Sequence, residues 1–511
     1  RADPSVVYKP TILDKTVSVR DRPFSTFMTG GIRMFKLISN LIRSIANEAV
    51  DKAIKRIARD QYTENIFEMI PVAKKVGPIQ LMEIVMRSQN GLPPGRPLGS
   101  HIRFSPWEKL LFNPVHLFRF PTPDNQTIST SVTIGKRAKK PLNISIPIMI
   151  AAMSFGGALS KSAKIALAKA ASRIGTATNT GEAGLMEEER EAASLLIGQY
   201  NRGGWLNDRE KYSRLDAIEI QLGQGAQGSS PQRTKAQNIG PDYREVFGIP
   251  EGEDAVIHSR LPGVNTKEQF VALVRRLKEE TGVPVGLKIA ATHHLEKELQ
   301  VALEAKVDFV TVDGAEGGTH AAAPTLEDDL GLPTLYAVTR ASRFLAEKGA
   351  DSHVSLIATG GLVTPGDCLK AMALGADAVY IGTAAVMALV GDQMVEAAPF
   401  EPPTSLVVYN AKMTDQLDVE HSADNLYNYL KAAVKEMELV CYSLGKTKLS
   451  DITKSDLCAL DPFLARATGV ELGFVSPEQQ HQYFDGLLEF PSAYPPAVER
   501  DGPRDERQQL H

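Results

Sequence analysis

The chain has 511 residues, 43% hydrophobic and 23% charged, with a formal net charge of −4. That length and apolar content suffice for a large core, with space for a barrel of about 250 residues plus flanking regions. The mild acidity excludes nucleic acid as an expected partner, and the three cysteines, Cys368, Cys441 and Cys458, have no CxxC spacing, so neither a metal site nor an extracellular disulfide framework is expected.

A reduced, cytoplasmic setting follows as the default. No run of about 18 uninterrupted apolar residues marks a membrane span, and Arg1 rather than Met opens the numbering, which leaves an upstream segment open. Residues 1–31 read as an irregular arm. From Ile32 to Asp60 apolar residues recur at three- and four-residue steps (Met34, Ile38, Leu41, Ile45, Ala49, Ala53, Ile57), which predicts an amphipathic helix. Its other face is basic, so it docks on the barrel or on another subunit, or, as the less favoured reading, lies on an anionic membrane surface. The prolines and glycines of 91–97 form a loop, and 100–145 read as an extended lead-in with short strands.

From Ile146 short apolar runs alternate with helical segments. Predicted strands are Ile148–Met153, Gly175–Asn179, Leu195–Tyr200, Ala217–Leu222, Pro284–Ile289, Phe309–Asp313, Val354–Ile357 and Ala378–Ile381. Ser160 caps a helix over Lys161–Arg173 and Thr266 one over Lys267–Glu280; further helices cover Leu295–Ala305, Leu335–Lys348 and Gly366–Leu374. Strand–helix alternation implies a parallel sheet, and eight such strands with polar or glycine-rich ends favour a closed (β/α)8 TIM barrel of the α/β class. The stretch 223–265 reads as long and irregular, and loops of that length are usually functional. A helix from Asp424 to Leu444 follows a proline-rich connector. The domains expected are an N-terminal arm and helical region over 1–106, the barrel with its lead-in over 107–390, a helical extension over 391–499 and a disordered tail over 500–511.

Chemistry in a barrel sits at the C-terminal ends of the strands. The last two carry Gly360-Gly361 and Gly382-Thr383, glycine-rich turns that let backbone N–H groups approach an anion, so a phosphate site is expected there. The first strand ends in Met153 and Ser154, the second in Asn179 and Glu182, the third in Gln199, the fourth in Gln221, the sixth in Glu316, Gly317, Gly318 and His320. Lys288 lies inside an apolar strand, which is costly unless it meets an anion or an electron-rich ligand; the alternative is that it snorkels to solvent. Glu182 is a candidate general acid/base or amine-binding group, or it bonds its own loop; His320 is a candidate second proton donor, or structural. The phosphate cradle suits a sugar phosphate, pyridoxal phosphate or FMN. The polar edge of Asn179, Gln199 and Gln221 beside Lys288 fits a flavin pyrimidine best.

These residues resemble the FMN-binding synthase domain of glutamate synthases, from Trp107 to Pro462. The matches are Met153-Ser154-Phe155-Gly156, Arg173-Ile174-Gly175, Asn179-Thr180-Gly181-Glu182, Gly225-Ala226, Gly317-Gly318-Thr319, Gly360-Gly361-Leu362, Leu374-Gly375-Ala376 and Ile381-Gly382-Thr383. The resemblance implies FMN bound by Ser154, Gln199, Lys288, Gly360, Gly361, Gly382 and Thr383, with Glu182 facing substrate. It implies hydride transfer between flavin and an imino or amino acid, by default glutamate formation from 2-oxoglutarate and ammonia. Two departures stand out. Residues 391–399 hold none of the three cysteines that carry the family's iron–sulfur cluster, and Gln227 occupies the family's carboxylate-binding lysine position, with Arg233 nearby as a replacement charge. No N-terminal cysteine and no room for a glutaminase domain before residue 107 are read. Ammonia and electrons are therefore expected from solution, from a pyridine nucleotide or substrate, or from a partner protein, and the chain itself is expected to form a homo-oligomer. The alternative is a non-catalytic or electron-relaying flavin subunit of a larger complex.

Overall fold

The computed structural model describes residues 44–45, 47–61, 68–319, 322–393, 401–476 and 479. The arm 1–31, residues 32–43 and 46 of the helix expected over 32–60, the tail 500–511 and His320 lie outside them. The chain divides into two compact units, Arg1–Leu92 and Pro93–His511. In the first, residues 47–59 are helical, and Met69–Val76 and Pro78–Asn90 form two further helices separated by Gly77. Proline at the start of the second and left-handed Gly91 after it mark its limits.

The second unit is built on eight parallel strands: β1 (Ile148–Ile150), β2 (Thr178–Asn179), β3 (Leu196–Tyr200), β4 (Ala217–Gln221), β5 (Val285–Ala290), β6 (Phe309–Asp313), β7 (Ser355–Thr359) and β8 (Ala378–Ile381). Their order is β1-β8-β7-β6-β5-β4-β3-β2. The ring closes where the Ile150 N–H donates to Ala177 O at 3.0 Å and Thr176 Oγ1 donates to Ile148 O at 2.7 Å. This is a (β/α)8 barrel. The expected helices are present, over Lys161–Ile174, Lys267–Thr281, Leu295–Glu304, Thr334–Glu347 and Pro365–Ala373. Ser160 and Thr266 cap the first two through their side-chain oxygens, the latter in a full capping box.

Two apolar layers follow from the two-residue period of the strands. Outward-facing residues such as Ile148, Leu196, Ile218, Leu287, Val310 and Leu356 pack under the helices. Inward-facing Met149, Ile197, Ala217, Phe309, Ile357 and Ala378 form a separate inner core with Ile134, Leu142 and Ile144. The last three come from an antiparallel pair, Val132–Ile134 with Leu142–Ile144, within the lead-in. Next along β3 to β6 the same inward period places Gln199, Glu219, Lys288 and Thr311, so the interior turns from apolar to polar toward the C-terminal ends.

Two regions differ from the expectation. Residues 223–265 are not irregular throughout: Gln232–Thr234 pairs antiparallel with Ala255–Ile257, and Pro241–Phe247 is a helix ended by left-handed Gly248. Three-residue strands and a seven-residue helix are too short to show a period. The C-terminal helix begins earlier, at Val419, because Asp418 caps it through the His421 N–H. Beyond it, Leu457–Ala459 pairs with Leu110–Phe112 in the lead-in and with Glu471–Leu472.

Candidate active site

The polar interior is centred on Glu219, a residue sequence reasoning passed over. It sits in the middle of β4 and is fully buried. Its Oε1 accepts from Gln199 Nε2 at 2.9 Å and Asn179 Nδ2 at 3.1 Å, and its Oε2 accepts from Thr311 Oγ1 at 2.7 Å. Three strands thus aim donors at one carboxylate, which satisfies a charge that would otherwise be costly to bury. The signal was available: a carboxylate inside the run Ala217-Ile218-Glu219-Ile220-Gln221 is as anomalous as a lysine inside β5. Asn179 is consumed by this network, since its Oδ1 also accepts from the Gly181 N–H at 3.0 Å. It shapes the loop that carries Glu182.

Lys288 does not reach solvent. Its register partners are Gln221 on β4 and Thr311 on β6, and its Nζ lies 2.9 Å from Asp313 Oδ2 at the end of β6. Burial alone opposes its charge, but the carboxylates of Asp313, Glu219 and Glu182 outweigh burial and hold its pKa above the ordinary lysine value. Two atoms beside it stand out. Gln221 Oε1 and Asp313 Oδ1 are buried with no hydrogen-bond partner among the described residues. Buried acceptors are rarely left this way without a ligand or water.

Glu182 also differs from a free acid. It is bound by Arg202, the residue at the end of β3's loop, through Nη2 to Oε2 at 2.9 Å and Nε to Oε1 at 3.1 Å, and the Arg202 N–H adds a third contact at 3.3 Å. Arg202 is fully buried. Its Nη1 donates to Ser230 O at 3.3 Å, which ties this pair to the loop after β4. That loop carries Gln227, buried, whose Oε1 accepts from Gln232 Nε2. At its other end Gly225 lies so close to Gly314 that a Cβ there would be 1.9 Å from Gly314 O. Arg233 is not brought to the site: its side chain is 57% exposed and pairs with Asp254 at 3.1 Å. The antiparallel pair with Ala255–Ile257 turns it outward.

The turns after β7 and β8, where a phosphate site is expected, lie at the C-terminal ends of adjacent strands. Gly360 has φ 112°, a conformation closed to side chains, and a Cβ there would lie 2.6 Å from Thr334 Oγ1. Thr334 Oγ1 contacts Gly360 O at 2.7 Å and Glu316 Oε2 at 2.8 Å, so Glu316 braces this turn from beneath. Gly382 precedes the helix Thr383–Val390. First-turn N–H groups of a helix have no intrahelical acceptor and carry positive partial charge, which suits an anion. Gly317 and Gly318 belong to the loop after β6, where the Leu98 N–H donates to Thr319 O at 2.9 Å. Met153 and Ser154 lie in the turn after β1, with Ser154 O accepting from the N–H groups of Ala158 and Leu159. The other end of the barrel is different in character. A surface cavity of about 630 Å³ there is lined by Lys136, Arg343, Asp377 and Lys454.

A (β/α)8 barrel with glycine turns after its last two strands and buried charges at its mouth has the architecture in which barrel enzymes place their sites at the C-terminal strand ends. The family model for the conserved region in glutamate synthase matches residues 116–447, and the chain belongs to the glutamate synthase family. It is 31% identical over 417 residues to a glutamate synthase large subunit-like protein of Rhizobium meliloti, across 78% of this chain and 94% of that one. It is 33% identical over 307 residues to the archaeal-type glutamate synthase [NADPH] of Thermotoga maritima, of which it spans 60%. Among solved structures, a flavocytochrome b2 variant matches with a TM-score of 0.45 at 14% identity, over 76% of this chain and 84% of that one. A mandelate oxidase variant matches with a TM-score of 0.43 at 16% identity, over 68% and 87%. Those two likenesses add nothing to what the strand order shows.

No helix among the described residues is long and apolar enough to cross a membrane.

Proposed function

We propose that the chain is an FMN-dependent oxidoreductase that interconverts an imino and an amino acid. The observation that carries this reading is the conjunction of Lys288 with the two unsatisfied acceptors, Gln221 Oε1 and Asp313 Oδ1, at the same strand ends as the glycine turn Gly360–Gly361, which follows the strand adjacent to Asp313. A flavin mononucleotide has a polar ring edge at one end and a phosphate at the other, and the residues fit both. Gly360, Gly361, Gly382 and Thr383 would hold the phosphate, Gln199, Gln221 and Lys288 the pyrimidine edge, and Met153 and Ser154 the far side of the ring. FMN, when bound, supplies two-electron hydride exchange at the substrate carbon.

The chain's own residues do the rest. Lys288, held protonated, places a positive charge where the reduced ring is negative. Glu219 orients the Gln199 amide by accepting from its Nε2. Glu182, fixed by Arg202, is an acceptor that positions a substrate N–H. The family resemblance brings glutamate formation from 2-oxoglutarate and ammonia as the default substrate pair, and its electrons would come from a pyridine nucleotide or a partner protein.

The test is anaerobic. Addition of amino acids to the FMN-loaded protein should bleach the flavin, and addition of the matching 2-oxo acid with ammonia to the reduced protein should restore its colour. No redox change with any member of either class contradicts the proposal.

One observation favours the second reading, a flavin-holding subunit of a larger assembly. Leu117, Phe118 and Phe120 are 82, 88 and 70% exposed on one loop of the second unit. Adjacent exposed aromatics of this kind mark a protein contact more often than a free surface. A homo-oligomer that is active alone would count against it.

A further inference from the structure

Two consecutive residues of the lead-in carry positive φ, Leu98 at 71° and Gly99 at 86°. A glycine adopts this conformation freely, whereas a leucine is strained in it. Burial of the Leu98 side chain does not compensate, because it is 38% exposed. Strain of this kind persists only where the surroundings over-determine the backbone, and it gathers at ligand clamps.

The surroundings here are the loop after β6. The Arg96 N–H donates to Ala322 O at 3.0 Å, the Ala322 N–H donates back to Arg96 O at 3.4 Å, and the Leu98 N–H donates to Thr319 O at 2.9 Å. Side chains pin the same segment at both ends. Arg96 holds Asp328 through two bonds, Nη1 to Oδ1 at 2.7 Å and Nη2 to Oδ2 at 2.9 Å, and its Nη1 lies 3.4 Å from Oε2 of the buried Glu327. Ser100 Oγ donates to Asp328 Oδ1 at 2.7 Å. A two-point Arg–carboxylate contact is among the stronger side-chain bonds and also fixes direction. Arg96–Ser100 is therefore a strap fastened along the loop.

The strap reaches the turns where a phosphate is expected. A Cβ on Gly99 would stand 2.8 Å from Gly317 O and from Gly318 Cα. A Cβ on Gly318 would stand 3.0 Å from Leu98 O and 3.4 Å from Thr383 Oγ1. Strap, loop and the first residue of the helix after β8 thus converge at one point. Two residues earlier the loop packs on the turn after β7, where a Cβ on Gly361 would lie 2.5 Å from Glu316 Cβ. The strap lies outside residues 116–447, the span of the family match.

Resting on the flavin reading above, we propose that the strap Arg96–Ser100 closes the phosphate end of the FMN site, with Arg96 and Asp328 as its latch, so that release of the cofactor requires the strap to open. Arg96 is a positioning residue: it acts through the backbone it fixes, which holds Leu98 and the Glu316–Thr319 loop against Thr383 and Gly361. Bound FMN and a closed strap then stabilise each other, since linkage between two such equilibria is reciprocal.

The experiment measures the rate of FMN release from the full chain, by the flavin fluorescence recovered on dilution, and repeats it with riboflavin, which has the same ring and no phosphate. Arg96→Gln and Asp328→Asn should each speed FMN release about tenfold or more, the scale of a lost hydrogen bond between charged groups. The double variant should be no faster than either single one, because the two residues form one contact. Riboflavin release, the flavin spectrum and the reduction potential should change little, since the ring edge at Lys288 is untouched. Hydrogen exchange on the wild-type protein gives a readout that needs no variant: saturating FMN should slow exchange at the Arg96 and Leu98 amides, and riboflavin should not. Unchanged FMN release in both variants overturns the inference, as does an equal gain in the release of FMN and riboflavin, or strap exchange that FMN leaves unaltered. The two readings fail separately: a chain that takes up FMN with a strap indifferent to it contradicts only this inference, whereas one that takes up no FMN contradicts the proposed function as well.

Discussion

Lys288 and Asp313 form a buried ion pair between adjacent parallel strands, with Nζ 2.9 Å from Oδ2 and both side chains 5% exposed. Lys288 does not satisfy all of Asp313, whose Oδ1 has no partner among the described residues. A buried pair of this kind is poor evidence of stability for its own sake, because desolvation offsets much of the attraction. Its value lies in fixing a charge at a stated point of the barrel mouth.

Removing one partner leaves the other uncompensated. Lys288→Met should destabilise the protein by about 3–5 kcal/mol, read by denaturant unfolding. It should also weaken FMN binding and lower the flavin's reduction potential, because a positive charge near the ring favours the reduced anion. Unchanged affinity, spectrum and potential would show that Lys288 does not face the ring.

The pH dependence follows from the sign of the shift. The Lys288 pKa lies above its ordinary value of 10.5 because the Asp313, Glu219 and Glu182 carboxylates outweigh burial. A raised folded-state pKa contributes stability that is fully present below the unfolded value and is lost as pH rises through the folded one. Between about pH 6 and pH 9 no titration of Lys288 should therefore appear in the flavin spectrum or in unfolding midpoints. A spectral transition in that window that vanishes in Lys288→Met would contradict the pairing.

Glu219 accepts from Gln199, Asn179 and Thr311. Glu219→Gln turns an NH2 group toward one of those donors, and each buried polar group left unmatched costs about 1–3 kcal/mol. Calorimetric melting should show that loss, and FMN affinity should fall because the Gln199 amide is no longer held. A variant as stable as the wild type and equal in FMN affinity would remove Glu219 from the site.

Arg202→Lys tests the Glu182 clamp. A guanidinium reaches both carboxylate oxygens at once and an ammonium does not, so the conservative change should not restore the pair. The expected result is a loss of a few kcal/mol in stability and weaker binding of amino-acid substrates, seen as a raised KM with kcat less affected. Full rescue by lysine would mean that charge alone, not the two-point geometry, matters.

Much of this was legible in the sequence, and the limits have physical causes. The eight strands show as short apolar runs between capped helices because a parallel barrel buries both faces of each strand. Ser160 and Thr266 announce their helices through local capping chemistry. Lys288 was conspicuous as a lysine in an apolar run. Its pairing with Asp313, and that of Glu182 with Arg202, was not legible. Both join residues 20 or more positions apart, on neighbouring strands or the loops they carry, and register is not a local property. Glu219 was marked as a carboxylate in an apolar run, but its three partners come from three strands, so nothing in its own neighbourhood shows what it meets. The placement of Arg233 depended on a three-residue strand pair too short to have a pattern.

The central claim is that the mouth of this barrel is an FMN site, and the most direct measurement is the visible absorbance of the purified full chain followed by mass identification of the molecule released on denaturation. The account predicts flavin absorbance bands and one FMN per chain, either as purified or after supplementation. A colourless protein that takes up no FMN when supplemented would contradict it.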